Sequence, residues 1–216
     1  NSKLDGGFIV AHDISDTRRY QQQLEAHNSR LKLESLTDSL TSLPNRRAFD
    51  RRLTDELSRA VKNRKAAVLL LDLDAFKPYN DRFGHAAGDD ALRITARVLE
   101  KQLRDVDQVA RLGGEEFGII MGSAGRREAL AIAERCRAAM ESAPWPLRQV
   151  TVSIGVALLQ TRDDAKSILV RADEALYAAK NGGRNQVAFV PQRAVGSKAQ
   201  APTSRKERRK PGKVTN

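Results

Sequence analysis

The sequence predicts an α+β fold: a central, mostly antiparallel sheet flanked by helices. Three observations carry that prediction. Ala66-Ala67-Val68-Leu69-Leu70-Leu71 is a continuous apolar run closed by Asp72-Leu73-Asp74, the pattern of a strand buried on both faces. Val109-Ala110-Arg111-Leu112 and Phe117-Gly118-Ile119-Ile120-Met121 are two further apolar runs separated by Gly113-Gly114-Glu115-Glu116, which reads as a β-hairpin. Helical periodicities alternate with these strands. Alternation alone would suit a parallel sheet, but the hairpin requires an antiparallel pair and turns the prediction toward a mixed or antiparallel one.

The 216 residues give room for one domain of ordinary size with appendages, and 40% apolar content supplies its core. The net charge of +11 is uneven, because the segment from Pro191 onward holds eight Lys or Arg and one acidic residue. A single cysteine, Cys136, excludes an intramolecular disulfide framework and fits a reducing, cytoplasmic setting. No apolar run approaches the ~20 residues of a membrane span, so the membrane enters only if a longer parent protein has spans upstream.

Four regions follow in order: 1–14, 15–37, 38–190 and 191–216. Residues 1–14 contain one Gly-Gly turn and one short strand, which cannot bury itself. Residues 15–37 read as a helix in which Thr17, Tyr20, Leu24, His27 and Leu31 take heptad spacing, a seam that suits a second copy or a solvated linker. In the main region, Asn45 caps a helix over 45–63 with Phe49, Leu53, Leu57 and Val61 on one stripe. The Gly-punctuated segment 75–90 reads as a loop region, helical on either side of Gly84, that gathers Asn80, His85 and Asp89. An amphipathic helix follows and ends near Arg104-Asp105-Val106-Asp107. Further elements are a helix over 126–142 with Cys136 as a buried hydrophobe, a strand over 150–159, a helix over 168–180 and a short strand over 186–190. In the last helix Leu169, Ala172, Leu176 and either Tyr177 or Ala179 turn inward. The tail from Pro191 is basic, poor in apolar residues and expected to lack fixed structure.

The chemistry concentrates at two places. Asp72 ends a buried strand, where a carboxylate needs a cation or hydrogen bonds to compensate it. Glu115 and Glu116 follow the Gly-Gly turn and, as neighbours on a strand, are expected on opposite faces.

Six motifs in order then resemble the GGDEF domain, the catalytic domain of diguanylate cyclases, over residues 38–190. They are Leu-Thr-Ser-Leu-Pro-Asn-Arg-Arg at 40–47, Asp-Leu-Asp-Ala-Phe-Lys-Pro-Tyr-Asn-Asp at 72–81 and Phe-Gly-His-Ala-Ala-Gly-Asp at 83–89. Arg-Leu-Gly-Gly-Glu-Glu-Phe at 111–117, Val-Ser-Ile-Gly-Val-Ala at 152–157 and Ala-Asp-Glu-Ala-Leu-Tyr-Ala-Ala-Lys-Asn-Gly-Gly-Arg-Asn at 172–185 complete the set. The 113–117 motif is the Gly-Gly-Glu-Glu-Phe variant. Residues 1–14 resemble the last strand of a PAS sensor domain leading into a signalling helix.

The resemblance implies a polymerase-palm-like sheet and condensation of two GTP into cyclic di-GMP with release of pyrophosphate. It implies Mg²⁺ or Mn²⁺ held by Asp72, Glu115 and the Leu73 carbonyl, with Glu116 a second ligand or proton acceptor. Asn80 and Asp89 are then the guanine readers, His85 lies near the nucleotide, and Lys77, Lys180 and Arg184 supply charge to the phosphates. One GTP per protomer requires a homodimer. Arg104 and Asp107, five residues before the Gly-Gly, match the family's inhibitory product site. The alternative is a domain without turnover that acts as a cyclic di-GMP or GTP receptor. No specific nucleic-acid partner is implied. Two positions depart from the family pattern: Ser42 where Gly is usual, and Tyr79, expected beside the guanine site, where a smaller aliphatic is common.

Overall fold

The computed structural model describes residues 36–60 and 65–190. The expected strand in 1–14, the helix over most of 15–37, and the tail from Pro191 lie outside the described residues, as does Val61. The elements are α1 (Arg46–Ala60), β1 (Ala66–Leu73), α2 (Phe76–Phe83), α3 (His85–Glu100), β2 (Gln108–Gly113), β3 (Glu116–Gly122), α4 (Arg126–Glu141), β4 (Val152–Leu158), α5 (Ala165–Asn181) and β5 (Val187–Phe189). One sheet of order β2-β3-β1-β4-β5 runs through them. Three of its four pairings are antiparallel, and β4 with β5 is parallel. The mixed, mostly antiparallel sheet flanked by helices is therefore present as expected.

β1 is the centre because it is apolar on both faces. Ala67, Leu69, Leu71 and Leu73 pack with Phe76, Tyr79, Leu99 and Met140 from α2, α3 and α4. Val68 and Leu70 turn the other way, toward Phe49 and Leu53 of α1 and Ile168 and Ala172 of α5. Phe49 and Leu53 are completely buried, and each such side chain contributes about 1.5–3 kcal/mol of transfer free energy. Asp72 has the same parity as Val68 and Leu70, which turns its carboxylate to the α1/α5 side. α5 lies tight on β4 because Gly155 has no side chain: a Cβ there would stand 2.2 Å from the Ala172 carbonyl oxygen. That close approach sets the height of Lys180 above the sheet.

Three expectations change and one alternative is resolved. The helical character expected on either side of Gly84 is present, but Asn80, His85 and Asp89 lie on those two helices rather than in a loop; Gly84 divides them at a φ of 83°, which neither helix can accommodate. α5 begins earlier than its apolar stripe, at Ala165, because Asp164 and Ser167 form a capping box. Of the two alternatives in that helix, Ala179 is buried and Tyr177 is 67% exposed. Tyr79 is 1% exposed, stacked with Phe76 and tilted against Phe83, so its ring belongs to the core rather than to a base-binding surface. Ser42 has φ 62°, a left-handed conformation that glycine adopts at no steric cost, which accounts for the family's usual residue there. Cys136 is fully buried as expected, and burial pushes its thiol up to about 12.

Candidate active site

The site forms where the end of β1 meets the tip of the β2–β3 hairpin. Gly113 closes β2 at φ 149°, and Gly114 at φ 49° opens a two-residue turn with Glu115. Glu115 is thus in the turn, and Glu116 is the first residue of β3. The expected alternation of the two on one strand does not hold, because the turn sits one residue later than the Gly-Gly pair suggests. The Leu73 N–H donates to the Glu115 carbonyl at 3.3 Å, which pins the turn to the end of β1. Arg111 braces it from the other side: Nε and Nη2 donate to the Gly114 carbonyl at 3.1 and 2.9 Å, while Nη1 reaches Asp38 at 3.1 Å.

Glu116 stands directly opposite Asp72 in the ladder. Like charges in that position repel. Burial pushes the Asp72 carboxyl up; the hydrogen bond and charge of Lys180 oppose the rise, and the charges of Glu115 and Glu116 add to it. Lys180 Nζ lies 2.8 Å from Asp72 Oδ2. Three carboxylates and one ammonium leave the cluster short of positive charge. Among the described residues no three or more His, Cys, Asp or Glu side chains converge closely enough to hold a metal ion by themselves. Two carboxylates, a strand-end carbonyl and open solvent are nevertheless the donor set of a hard divalent cation that keeps some of its waters. The residues fit such an ion.

The base-reading candidates lie on the two helices after β1. Asn80 is in α2; His85 is the first residue of α3, and Asp89 follows it four positions later on the same helix face. Gly88 lets α2 and α3 close on each other, since a Cβ there would stand 1.8 Å from Asn80 Oδ1. That Oδ1 is buried without a hydrogen-bond partner among the described residues. A buried orphan acceptor calls for a donor. The structure therefore brings Asn80 against the turn that carries Asp89. Lys77, His85 and Asp89 are solvent-exposed. Arg184 lies past the end of α5, at φ 63°, so it does not share a helix face with Lys180.

Arg104 and Asp107 belong to the turn between α3 and β2. Arg104 donates to Asp107 through Nε at 2.9 Å and Nη2 at 2.8 Å, a bidentate pair. Its Nη1 bonds Glu128 in the first turn of α4, a partner the sequence reading missed. Asp107 foremost, with Glu128, holds the guanidinium above its ordinary value against burial. Arg52 of α1 donates to the Val106 carbonyl at 3.0 Å and fixes the turn. A cleft of about 260 Å³ opens here, with Glu100, Leu103, Arg104 and Asp107 in its wall. A larger cleft of about 350 Å³ lies between α1 and α5, with an apolar floor of Leu70, Leu112 and Leu169, and touches the β1–hairpin site only at Glu116.

The family model for "Diguanylate cyclase, GGDEF domain" matches residues 35–186. The chain is 38% identical over 175 residues to the diguanylate cyclase DgcP of Pseudomonas aeruginosa, covering 77% of this chain and 26% of that protein. It is 37% identical over 185 residues to the diguanylate cyclase DgcM of Escherichia coli, covering 83% of this chain and 43% of that protein. The chain thus spans less than half the length of these curated relatives. Among solved structures, the coiled coil and GGDEF domain of DgcB from Caulobacter crescentus in complex with c-di-GMP superposes with a TM-score of 0.69 at 31% identity, covering 82% of this chain and 97% of that one. The active GGEEF domain of a diguanylate cyclase from Vibrio cholerae gives 0.67 at 32% identity, covering 70% and 99%. With the family's fold, its motifs in order and its carboxylates gathered at one sheet end, the chain belongs to the GGDEF domain family of diguanylate cyclases.

Proposed function

We propose that this domain condenses two GTP into cyclic di-GMP, each of two copies presenting one GTP to the other. The observation that carries this reading is the meeting of Asp72, Glu116 and Lys180 at the end of β1, with the Glu115 turn bonded to Leu73. A negative cluster there is held beside one cation by the sheet itself. Asp72, Glu115 and the Leu73 carbonyl would hold Mg²⁺ or Mn²⁺, which when bound supplies charge neutralisation to the triphosphate and acidifies the attacking hydroxyl.

The remaining work falls to the chain. The Asn80 amide pairs with the guanine edge, and Asp89 accepts from N1–H and N2–H₂, donors that adenine does not offer in that pattern. Lys180, Arg184 and Lys77 draw the phosphates toward Asp72. His85, on the face of α3 that carries Asp89, contacts the nucleotide. The 3′-oxygen of one GTP forms a bond to the α-phosphorus of the other while the bond to pyrophosphate breaks, and the hydroxyl proton passes to Glu116 or to water. Two such transfers, one in each direction, close the ring. Geometry rather than covalent catalysis lowers the barrier.

Arg104 and Asp107 form a second site for the product. The guanidinium offers a fork to phosphate or to the guanine Hoogsteen edge, and Asp107 accepts from the Watson–Crick edge. Product bound there reports its own level back to the reaction. Use of GTP and the single buried thiol agree with a cytoplasmic location. Among the described residues no helix is long and apolar enough to cross a membrane.

Turnover of GTP with Mg²⁺, products separated by chromatography, tests the reading with Glu115→Ala alongside. Cyclic di-GMP from the unaltered protein and none from Glu115→Ala is the expected result. Tight cyclic di-GMP binding with no product at any protein concentration would instead make the domain a receptor.

A further inference from the structure

Two residues beyond Asp72, the chain carries a second aspartate with no assigned part in the reaction. Asp74 is 8% exposed, and its carboxylate is engaged inside the protein. Oδ1 accepts from the Ser153 hydroxyl at 2.7 Å. Oδ2 accepts from the Thr151 hydroxyl at 2.8 Å and from the Asn185 backbone N–H at 3.0 Å. Three of its roughly four acceptor positions are thereby filled. Asp72, in contrast, has Lys180 as its one side-chain partner among the described residues. The two aspartates are about equally buried but do different things: Asp72 keeps acceptor positions that no described side chain but Lys180 fills, and Asp74 is a junction.

What Asp74 joins is informative. Thr151 and Ser153 flank the start of β4, and Asn185 belongs to the turn between α5 and β5. In that turn Arg184 and Asn185 lie consecutively at φ 63° and 47°. Two L-residues in succession adopt the left-handed conformation only where their surroundings impose it. Here they are held from two sides. Asp74 takes the Asn185 N–H, while the Asn185 amide accepts from Arg137 at 2.8 Å and donates to Glu141 at 2.8 Å, both on α4. Arg184 itself is exposed and makes no ion pair with a described residue.

We propose that Asp74 is a positioning residue for the triphosphate: its buried carboxylate fixes the 183–185 turn, so that Arg184 is held at the same sheet end as Asp72 and Lys180. This rests on the reading of Lys180 and Arg184 as phosphate-binding cations. The carboxylate acts through the backbone of Asn185 and touches no substrate. An arginine on an unrestrained turn would spend most of its time away from the nucleotide, and GTP would have to order it on binding.

Calorimetric titration with Mg²⁺-GTP and separately with guanosine, with thermal melts, tests this on Asp74→Asn, Asp74→Ala and Arg184→Ala. Asp74→Asn keeps the volume but neutralises the carboxylate and turns one of its two acceptor oxygens into an NH₂ donor, so it weakens GTP about fivefold and leaves guanosine unchanged. Asp74→Ala, where it folds, weakens GTP at least about tenfold, again with guanosine unchanged. In Asp74→Ala/Arg184→Ala the losses do not add, because both changes remove one contact. If Arg184→Ala lowers GTP affinity and folded Asp74→Asn does not, the inference is overturned while the phosphate reading stands. Equal losses of GTP and guanosine in Asp74→Asn also overturn it, as they mark general damage. Unchanged GTP affinity in Arg184→Ala removes the phosphate reading and the inference with it.

Discussion

The sheet end around Asp72 and the turn around Arg104 treat charge in opposite ways. At Asp72, the carboxylate pairs with Lys180 while the charges of Glu115 and Glu116 act against it, and burial pushes its carboxyl up despite Lys180. At Arg104, one guanidinium faces two carboxylates and donates a further long hydrogen bond, 3.4 Å, to the Gly122 carbonyl. The first region is under-compensated and gains from any cation that arrives. The second is satisfied as it stands, so a ligand there must first displace something. Asp107 is buried and bidentate, whereas Glu128 is 43% exposed, so Glu128 is the partner that yields. On the proposed reading the first would recruit a cation, and the second would exchange a carboxylate partner for product.

The largest effects belong to the recruiting site. Asp72→Ala should lower turnover at least ~10²-fold with the fold intact by circular dichroism, because it removes a group placed where charge develops. Chelation of divalent ions should stop turnover and re-addition of Mg²⁺ restore it; turnover that persists after chelation would sink the comparison. Next comes Arg104→Ala, which should leave initial turnover alone and weaken cyclic di-GMP inhibition at least about 30-fold, the loss of a bidentate charged pair. Inhibition of Arg104→Ala at the original product concentration would show the exchange site to be elsewhere. Smaller still, Glu128→Gln should tighten product inhibition by up to about fivefold, since an exposed ion pair is worth at most ~1 kcal/mol. An unchanged inhibition constant would mean that Glu128 is not the partner displaced.

The last prediction concerns stability. Because the Asp72 carboxyl is raised when folded, its contribution becomes unfavourable as pH rises from the ordinary aspartate value of 3.8 through its folded value. Metal-free Asp72→Asn should therefore melt a few degrees above the unaltered protein at neutral pH, the gap narrowing as pH falls toward 3.8. Equal melting temperatures at both pH values would show that Lys180 already compensates the charge in full.

Much of the fold is legible in the sequence, for a physical reason. β1, β3 and β4 are buried on both faces, so apart from Asp72, Glu116 and Ser153 their residues are apolar or glycine and declare themselves. The helices at 76–83 and 85–90 are less visible. Helical character on either side of Gly84 is legible, but the polar faces and the Gly84 break make the segment read as a loop region overall; in the structure Phe76 and Tyr79 seat the first helix in the core. Among site residues, Asp72, Glu115 and Asn80 can be found by motif. Asp74 falls within the same motif, but its role cannot be read there, because the groups that donate to it lie 77, 79 and 111 positions away. Glu128 is hidden differently: a glutamate in the first turn of a helix is what the helix dipole favours anyway. Contacts at such separations leave no local periodicity to read.

Cys136 carries a consequence of another sort. The thiol is wholly buried and held to about 12, so at neutral pH it is essentially all protonated and shielded from alkylating reagents. The chain is, in effect, already free of reactive cysteine. Tyr177 is 67% exposed and three positions before Lys180 on the surface of α5. A Tyr177→Cys protein would therefore take a single spin label beside the β1–hairpin site with no further engineering. The distance between labels on two copies would then serve as a ruler for how closely two such sites approach when GTP is present.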